Sequence, residues 1–386
     1  MKADTYRISV VDALRGFAIF GILMMHCFEH FNYFVYPAVE NKLLLFTDKI
    51  FTDAIPFLFA GKAYAVFALL FGFSFFVQND HRKQKGANFG LRFLWRLALL
   101  FLWGCLNSVF YMGDVLVTFS LIGILLPLLS RLPDKVLIPV AFLFLLQPEQ
   151  WIKIVCALIN PDYTVPSLFA NYYAPTFNMV SNGNILDMLK GTYYNQMYSF
   201  SWWVGVGRVY QVAALFLFGL LLGRNGMFLN KEKNSRFWIK QMIISIILFF
   251  PLSGIKSILL DFVENAVIRR QLNLVLSAYA SFAFFTFIVA VFVLVYYHHT
   301  VLGRWLSKLE PCGKMSLTMY ITQSVMGGFV FYNWGLGLGP QLSVTFSILI
   351  GLVIFAIQYT FAVMWLKRHK HGPLEHAWKK LTWIGK

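Results

Sequence analysis

The chain has little charge. Of its 386 residues, 13% are Asp, Glu, Lys or Arg, about half the share carried by a soluble globular protein of about 25%. So few ionised groups could not cover a surface that faces water on every side. Acidic residues are scarcest, 17 against 33 Lys and Arg, a formal net charge of +16. Cysteine is rare too. Cys27, Cys105, Cys156 and Cys312 stand in no CxxC and at no paired spacing, which argues against a disulfide framework and a thiolate zinc site. There is no P-loop, dinucleotide fingerprint, G-x-S-x-G elbow or H-E-x-x-H, so no energy from nucleotide hydrolysis is expected. No short period recurs, which excludes fibrous and repeat architectures.

What is present is apolar. Hydrophobic residues make up 59% of the chain and aromatics 18%, which excludes disorder and predicts an integral membrane protein. Runs long enough to approach a span fall at about 10–34, 56–78, 91–110, 115–131, 136–149, 206–223, 238–257, 273–297, 315–334 and 343–366. The expected fold is therefore an all-α polytopic bundle of ten transmembrane helices in a single domain, 1–386. Alternating from a cytoplasmic amino terminus puts 20 of the 33 basic residues in the inner segments and the tail, among them Lys2, Arg7, Lys231 and Lys386. That satisfies the positive-inside rule with both termini cytoplasmic. The same pattern explains the excess of positive charge without nucleic acid, which is not expected as a partner. The first run lacks a small-residue cleavage site, so it reads as a retained helix and not a signal peptide.

Two stretches stand apart. The segment about 150–205 is expected outside the membrane and carries Tyr172, Tyr173, Tyr193, Tyr194, Tyr198, Trp202 and Trp203. These rings suit stacking on a sugar or aromatic acceptor, and equally an interfacial belt. The tail 367–386 is basic and expected in the cytoplasm.

Ionisable groups inside a span are costly and mark functional candidates. In the first run, Asp12 and Arg15 are three residues apart and can pair on one helix face. His26 follows Arg15 by eleven residues, about 16 Å along a helix axis, which places it near the midplane with His30 on the same face. A neutral imidazole there can accept or donate a proton and suits a reaction joining a donor on one side to an acceptor on the other. A histidine that binds helices together is the other reading of the same residue. No further ligands of the right kind accompany the two histidines, so no metal is expected. Ser316, Tyr320 and Gln323 share a face of the ninth run; such a stripe lines a cavity or joins helices by hydrogen bonds. Arg92 and Arg96, four apart, can hold phosphate groups or reach for lipid headgroups. Lys62, Asn107 and Asp114 receive no role from spacing.

Six stretches together carry a resemblance. They are Val11-Asp12-Ala13-Leu14-Arg15-Gly16-Phe17-Ala18-Ile19-Phe20-Gly21-Ile22-Leu23, Gly61-Lys62-Ala63-Tyr64, Leu69-Leu70-Phe71-Gly72, Gly113-Asp114-Val115-Leu116, Gly313-Lys314-Met315-Ser316-Leu317-Thr318-Met319-Tyr320 and Gly372-Pro373-Leu374-Glu375-His376-Ala377-Trp378-Lys379-Lys380-Leu381-Thr382. Over almost its whole length the chain resembles the YeiB-like family of bacterial membrane proteins (domain of unknown function 418). That family is similar to a larger group of transmembrane acyltransferases, including acyltransferase family 3 and the lysosomal heparan-α-glucosaminide N-acetyltransferase. Family 3 members carry Arg, ten residues, then His in the first span, which corresponds here to Arg15 and His26. Many YeiB-like proteins carry Asn where His26 stands, so the chemistry is read for this chain and not for all its kin.

The resemblance implies an acyltransferase of the bacterial plasma (inner) membrane. It would move an acyl group, acetyl from acetyl-CoA as co-substrate, to an extracytoplasmic hydroxyl or amine on a glycan, lipid or small molecule. His26 would be the catalytic base and Arg15, Arg92, Arg96 and Lys314 the donor-binding residues. Asp12, His30, Ser316, Tyr320 and Gln323 would supply supporting polar groups. A homo-oligomer is compatible with this reading. The alternative is a transporter or flippase of a small or lipid-linked substrate with His26 as proton relay.

Overall fold

The structure, a computed structural model, describes residues 8–86, 88–230, 232–298 and 301–384. Lys2, Arg7, Lys231 and Lys386 of the charge pattern lie outside the described residues. Among those residues the chain is helical, without strands. In order the helices are α1 (Ser9–Phe28), α2 (Lys42–Phe59), α3 (Ala63–Lys83), α4 (Gly90–Asn107), α5 (Leu116–Ile122), α6 (Leu125–Leu129) and α7 (Asp134–Leu145). Then come α8 (Pro148–Ile159), α9 (Ala170–Asn182), α10 (Ile185–Lys190), α11 (Thr192–Gly205), α12 (Arg208–Arg224), α13 (Glu232–Leu259) and α14 (Ala266–Tyr297). The last are α15 (Val301–Ser307), α16 (Glu310–Lys314), α17 (Ser316–Phe331), α18 (Val344–Leu366) and α19 (Pro373–Thr382).

All ten apolar runs of the sequence fall on helices. By length and composition, five helical stretches suffice to cross a membrane, and seven if two bent pairs each count as one span. The bends have local causes. Between α7 and α8, at 49°, Gln147 is left-handed (φ 60°) and Pro148 has no N–H to continue the ladder. Between α11 and α12, at 77°, Gly207 takes φ 72°, a conformation that only glycine adopts at no steric cost. The segment 150–205 is largely helical. It folds into α8 to α11 and hands its chain directly to α12.

α1 is the hub, packing on α2, α3, α14, α16, α17 and α18. Its residues from Val10 to Cys27 are mostly buried. Small residues let other helices approach closely. A side chain at Gly72 of α3 would strike the carbonyl of Phe216 in α12, and one at Gly219 of α12 would strike that of Leu69. The outside is apolar. Ile247, Phe250 and Ile258 of α13 and Phe346, Val353 and Ile357 of α18 are exposed, and only 6% of the most apolar window of Glu232–Phe262 is buried. Such faces belong against hydrocarbon, not water.

Candidate functional site

α1 ends in an unusual turn. His30, Phe31, Asn32 and Phe34 have φ between 48° and 67°, a left-handed region that costs a non-glycine residue roughly 1–2 kcal/mol. Tertiary contacts hold it: Phe31 N–H donates to His26 O at 2.6 Å, and Tyr332 hydroxyl donates to Phe31 O at 2.5 Å. The turn returns Asn32 toward the end of α1. There Tyr111, on the connection from α4 to α5, places its hydroxyl 2.9 Å from His26 Nδ1 and 3.4 Å from Asn32 Oδ1. His26 Nε2 is buried and has no hydrogen-bond partner among the described residues.

His26 lines a chamber of about 170 Å³ with Glu29, Tyr64, Trp202, Arg208 and Tyr320 among its other walls. The aromatic segment divides here. Tyr198, Trp202 and Trp203 face this chamber, whereas Tyr173, Tyr193 and Tyr194 are exposed.

A second chamber, of about 370 Å³, reaches α1 at Arg15. Arg15, Ser74, Arg96, Lys314, Ser316 and Glu375 are among its walls, and Tyr320 lines it as well. The Arg15 guanidinium pairs with Asp12 at 3.0 Å and donates to Ser74 Oγ at 2.5 Å. Lys314 lies 3.4 Å from Glu310. The Arg96 guanidinium sits 4.2 Å above the ring of Trp378, a residue of α19. Glu375, also of α19, accepts from the backbone N–H groups of Leu317 and Thr318 at 2.7 and 3.0 Å and from Thr318 hydroxyl at 2.6 Å. Its carboxylate thereby satisfies free donors at the start of α17.

The two chambers meet at Tyr320, whose hydroxyl accepts from Val115 N–H at 3.2 Å. The fold thus gathers Arg15, Arg96, Lys314, Ser316 and Tyr320 around one chamber and His26 with Tyr320 around the other. It does not bring in the rest. Arg92 donates to Thr382 O at 2.8 Å and lies beside Trp383. His30 is fully buried against α18, bonded to Ser347 Oγ at 2.7 Å and Val35 O at 3.0 Å. Gln323 is fully buried with both amide atoms unpartnered and lines neither chamber. The stripe of the ninth run is therefore split after Tyr320.

Asp114 acquires a structural part. It accepts from Asn107 Nδ2 at 2.9 Å and from Val117 N–H at 3.1 Å, fixing the turn into α5. Sequence reasoning passed over Tyr111, Asn32, Glu29 and Arg208. Glu29, a carboxylate one helical turn past His26, was a usable signal; Asn32 is near in sequence but comes back only through the left-handed turn, and Tyr111 and Arg208 come from distant parts of the chain. Among the described residues no group of three or more His, Cys, Asp or Glu is arranged to hold a metal ion.

Two family models divide the chain. Residues 7–174 match the model described as "Heparan-alpha-glucosaminide N-acetyltransferase, catalytic". That stretch holds Arg15, His26, Arg96 and Tyr111. Residues 222–385 match "Protein of unknown function (DUF418)". Together the two matches are consistent with a YeiB-like family related to acyltransferases. The second stretch supplies Lys314, Ser316, Tyr320 and Glu375, so both matched stretches build the Arg15 chamber. The chain is 26% identical over 404 residues to "Uncharacterized protein YxaH" of Bacillus subtilis (strain 168), covering 98% of this chain and 94% of that one. It is 23% identical over 396 residues to "Uncharacterized 39.9 kDa protein in amylase 3'region" of Bacillus acidopullulyticus, again covering 98% and 94%. No solved structure matches it. The first match suggests likeness to a transmembrane acetyltransferase-like family.

Proposed function

We propose that the protein transfers an acyl group, acetyl from acetyl-CoA, from the Arg15 chamber on the cytoplasmic side to a hydroxyl or amine in the His26 chamber on the outer side. The observation that carries this reading is that Tyr320 is a wall of both chambers. Cationic groups suited to phosphates line one side of it, and an imidazole lines the other. Arg15, Arg96 and Lys314 would hold the donor's phosphates, leaving its thioester arm to run along α1 toward Tyr320.

His26 would act as general base. The Tyr111 hydroxyl has one proton, and donating it to Asn32 Oδ1 leaves its oxygen to accept from His26 Nδ1–H. That tautomer leaves the Nε2 lone pair free. Nε2 takes the acceptor's proton as the acceptor O or N bonds to the thioester carbonyl carbon. The C–S bond then breaks, the acyl group stays on the acceptor, and the proton on His26 passes to the departing CoA thiolate. Tyr320 stands where its hydroxyl could support the carbonyl oxygen as charge builds on it.

A transporter reading would need the partition to open, yet Tyr320 is buried and tied to the backbone of Val115. The test is titration of the protein in nanodiscs with acetyl-CoA, followed by release of free CoA thiol in the presence of candidate acceptors. Saturable acetyl-CoA binding with thiol release supports transfer. Absence of acetyl-CoA binding to folded protein overturns it.

A further inference from the structure

The His26 chamber holds a charge that proton transfer at His26 does not use. Arg208, the first residue of α12, has its guanidinium 4.8 Å from the ring centre of Tyr64, 4.5 Å from Trp202 and 5.5 Å from Trp203. The rings attract the cation but accept few of its five N–H donors, and an arginine cannot shed its proton to escape. Two other part-buried arginines are answered by oxygens, whereas Arg96, like Arg208, rests on an indole ring. Arg224 donates to Asp134 Oδ1 at 2.6 Å and Leu132 O at 2.9 Å, and Arg15 to Asp12 and Ser74. Arg208 has no such oxygen partner among the described residues.

A carboxylate in the same chamber is set apart from it. Glu29 lines the same chamber, and its charge and that of Arg208 act on one another across it, but the two form no ion pair within the 4 Å that such a contact needs. Tyr64 hydroxyl is already committed to Gln211 Oε1 at 2.5 Å. The guanidinium is thus an open fork beside two indole rings, in the cavity that His26 also lines.

We propose that Arg208 docks a carboxylate or phosphate group of the acceptor, with Trp202 and Trp203 flanking the atoms next to that group. The chamber is small, about 170 Å³, so the anionic group and the hydroxyl or amine that reaches His26 belong to one small molecule or one headgroup. Glu29 opposes a second negative charge and favours a donor or cationic group on its side. The word acceptor rests on the transferase reading; the anion site does not.

The test uses tryptophan fluorescence of the full chain in phosphatidylcholine nanodiscs, with iodide as anionic quencher and acrylamide as neutral one. In Arg208→Gln, iodide quenching should fall about twofold while acrylamide quenching is unchanged, and Arg208→Lys should keep most of it. Acetate or inorganic phosphate at constant ionic strength should shield the wild type from iodide and leave Arg208→Gln unaffected. Shielding already present in phosphatidylglycerol nanodiscs without added anion would make a lipid headgroup the source; shielding that needs soluble anion would make it a soluble acceptor.

Iodide quenching equal in wild type and Arg208→Gln, or falling together with acrylamide quenching, overturns the site. Should Arg208→Gln not fold, Glu29→Gln carries the test: removing the carboxylate should raise iodide quenching, and no rise overturns the proposal. Acetyl-CoA titration of the same samples separates the two readings. A lost iodide effect with intact acetyl-CoA binding removes the anion site alone. A retained iodide effect without acetyl-CoA binding removes the transferase and leaves the anion site standing.

Discussion

His26 and its hydroxyl partner set the sharpest expectations for single residues. Removing a general base lowers turnover by about 10²–10⁴-fold, so His26→Ala should lose transfer to that extent while still binding acetyl-CoA. Comparison of thiol release with calorimetric binding checks it, and turnover near the wild-type rate would exclude His26 as the base. Tyr111→Phe removes one hydrogen bond, worth about 1 kcal/mol, and with it the tautomer bias. Its turnover should drop several-fold, with donor affinity unchanged; loss of both would make Tyr111 a packing residue. Arg15→Ala should instead weaken donor binding. The spacing of Arg15 and His26 was legible because one continuous helix fixes it, as was the pairing of Arg15 with Asp12. The partners of His26 were not, since Tyr111 lies 85 positions away in sequence and only the tertiary fold sets that separation in space. Arg92 is the opposite case. Its spacing from Arg96 suggested a shared ligand, but the two guanidinium groups lie against different tryptophans, Trp378 within α19 and Trp383 just past its end.

That helix, α19, is the element on which the Arg15 chamber depends. Its Glu375 carboxylate takes three donors at the start of α17, and a hydrogen bond to a charged group contributes a net of about 1.5–3 kcal/mol. Glu375→Gln keeps the shape and removes the charge. It should loosen α19 and weaken acetyl-CoA binding at least several-fold, while His26→Ala leaves that affinity alone; calorimetry on both variants distinguishes them. Equal affinity in Glu375→Gln and wild type would mean that α19 merely covers the chamber. The tail was legible in the sequence as a specific stretch, but its basic charge suggested a solvated end, and nothing in its pattern revealed a carboxylate aimed at another helix. Close helix packing gives a second expectation here. Gly72→Leu must push α3 off the Phe216 carbonyl, and overpacking of this kind costs about 1–3 kcal/mol or more. Thermal unfolding in nanodiscs should show the loss, and an unshifted midpoint would contradict the contact between α3 and α12.

Across the whole molecule, the number of crossings decides which side each chamber faces. Helical character was legible throughout because apolar runs dominate, but the count was not, because bends at Gln147 and Gly207 and short helices such as α5 and α6 blur where a crossing begins. Five or seven crossings are odd numbers and put the chain ends on opposite sides; ten put them on the same side. We propose an even count from the way α1 and α19 meet at one chamber. The first turns of α1 hold Asp12 and Arg15, and α19 holds Glu375 and Trp378; Arg15, Glu375 and Trp378 all line one chamber. Gly313, just before α17, lies against the Asp12 carbonyl. If α1 and α19 begin and end on one face of the membrane, α4, α17 or the α5–α6 pair must complete crossings that length alone does not grant them. Tags at the amino and carboxy termini should both resist protease in intact spheroplasts and both be cut after lysis. A tyrosine exposed on the far segment, Tyr193, replaced by Cys in a background lacking Cys105 and Cys156, should react with an impermeant maleimide before lysis. If the two tags were cut under different conditions, the even count would fall. If Tyr193→Cys were protected while both tags were cut in intact cells, the bundle would be inverted and the Arg15 chamber would face away from the cytoplasmic pool of acetyl-CoA, ending the proposed direction of transfer.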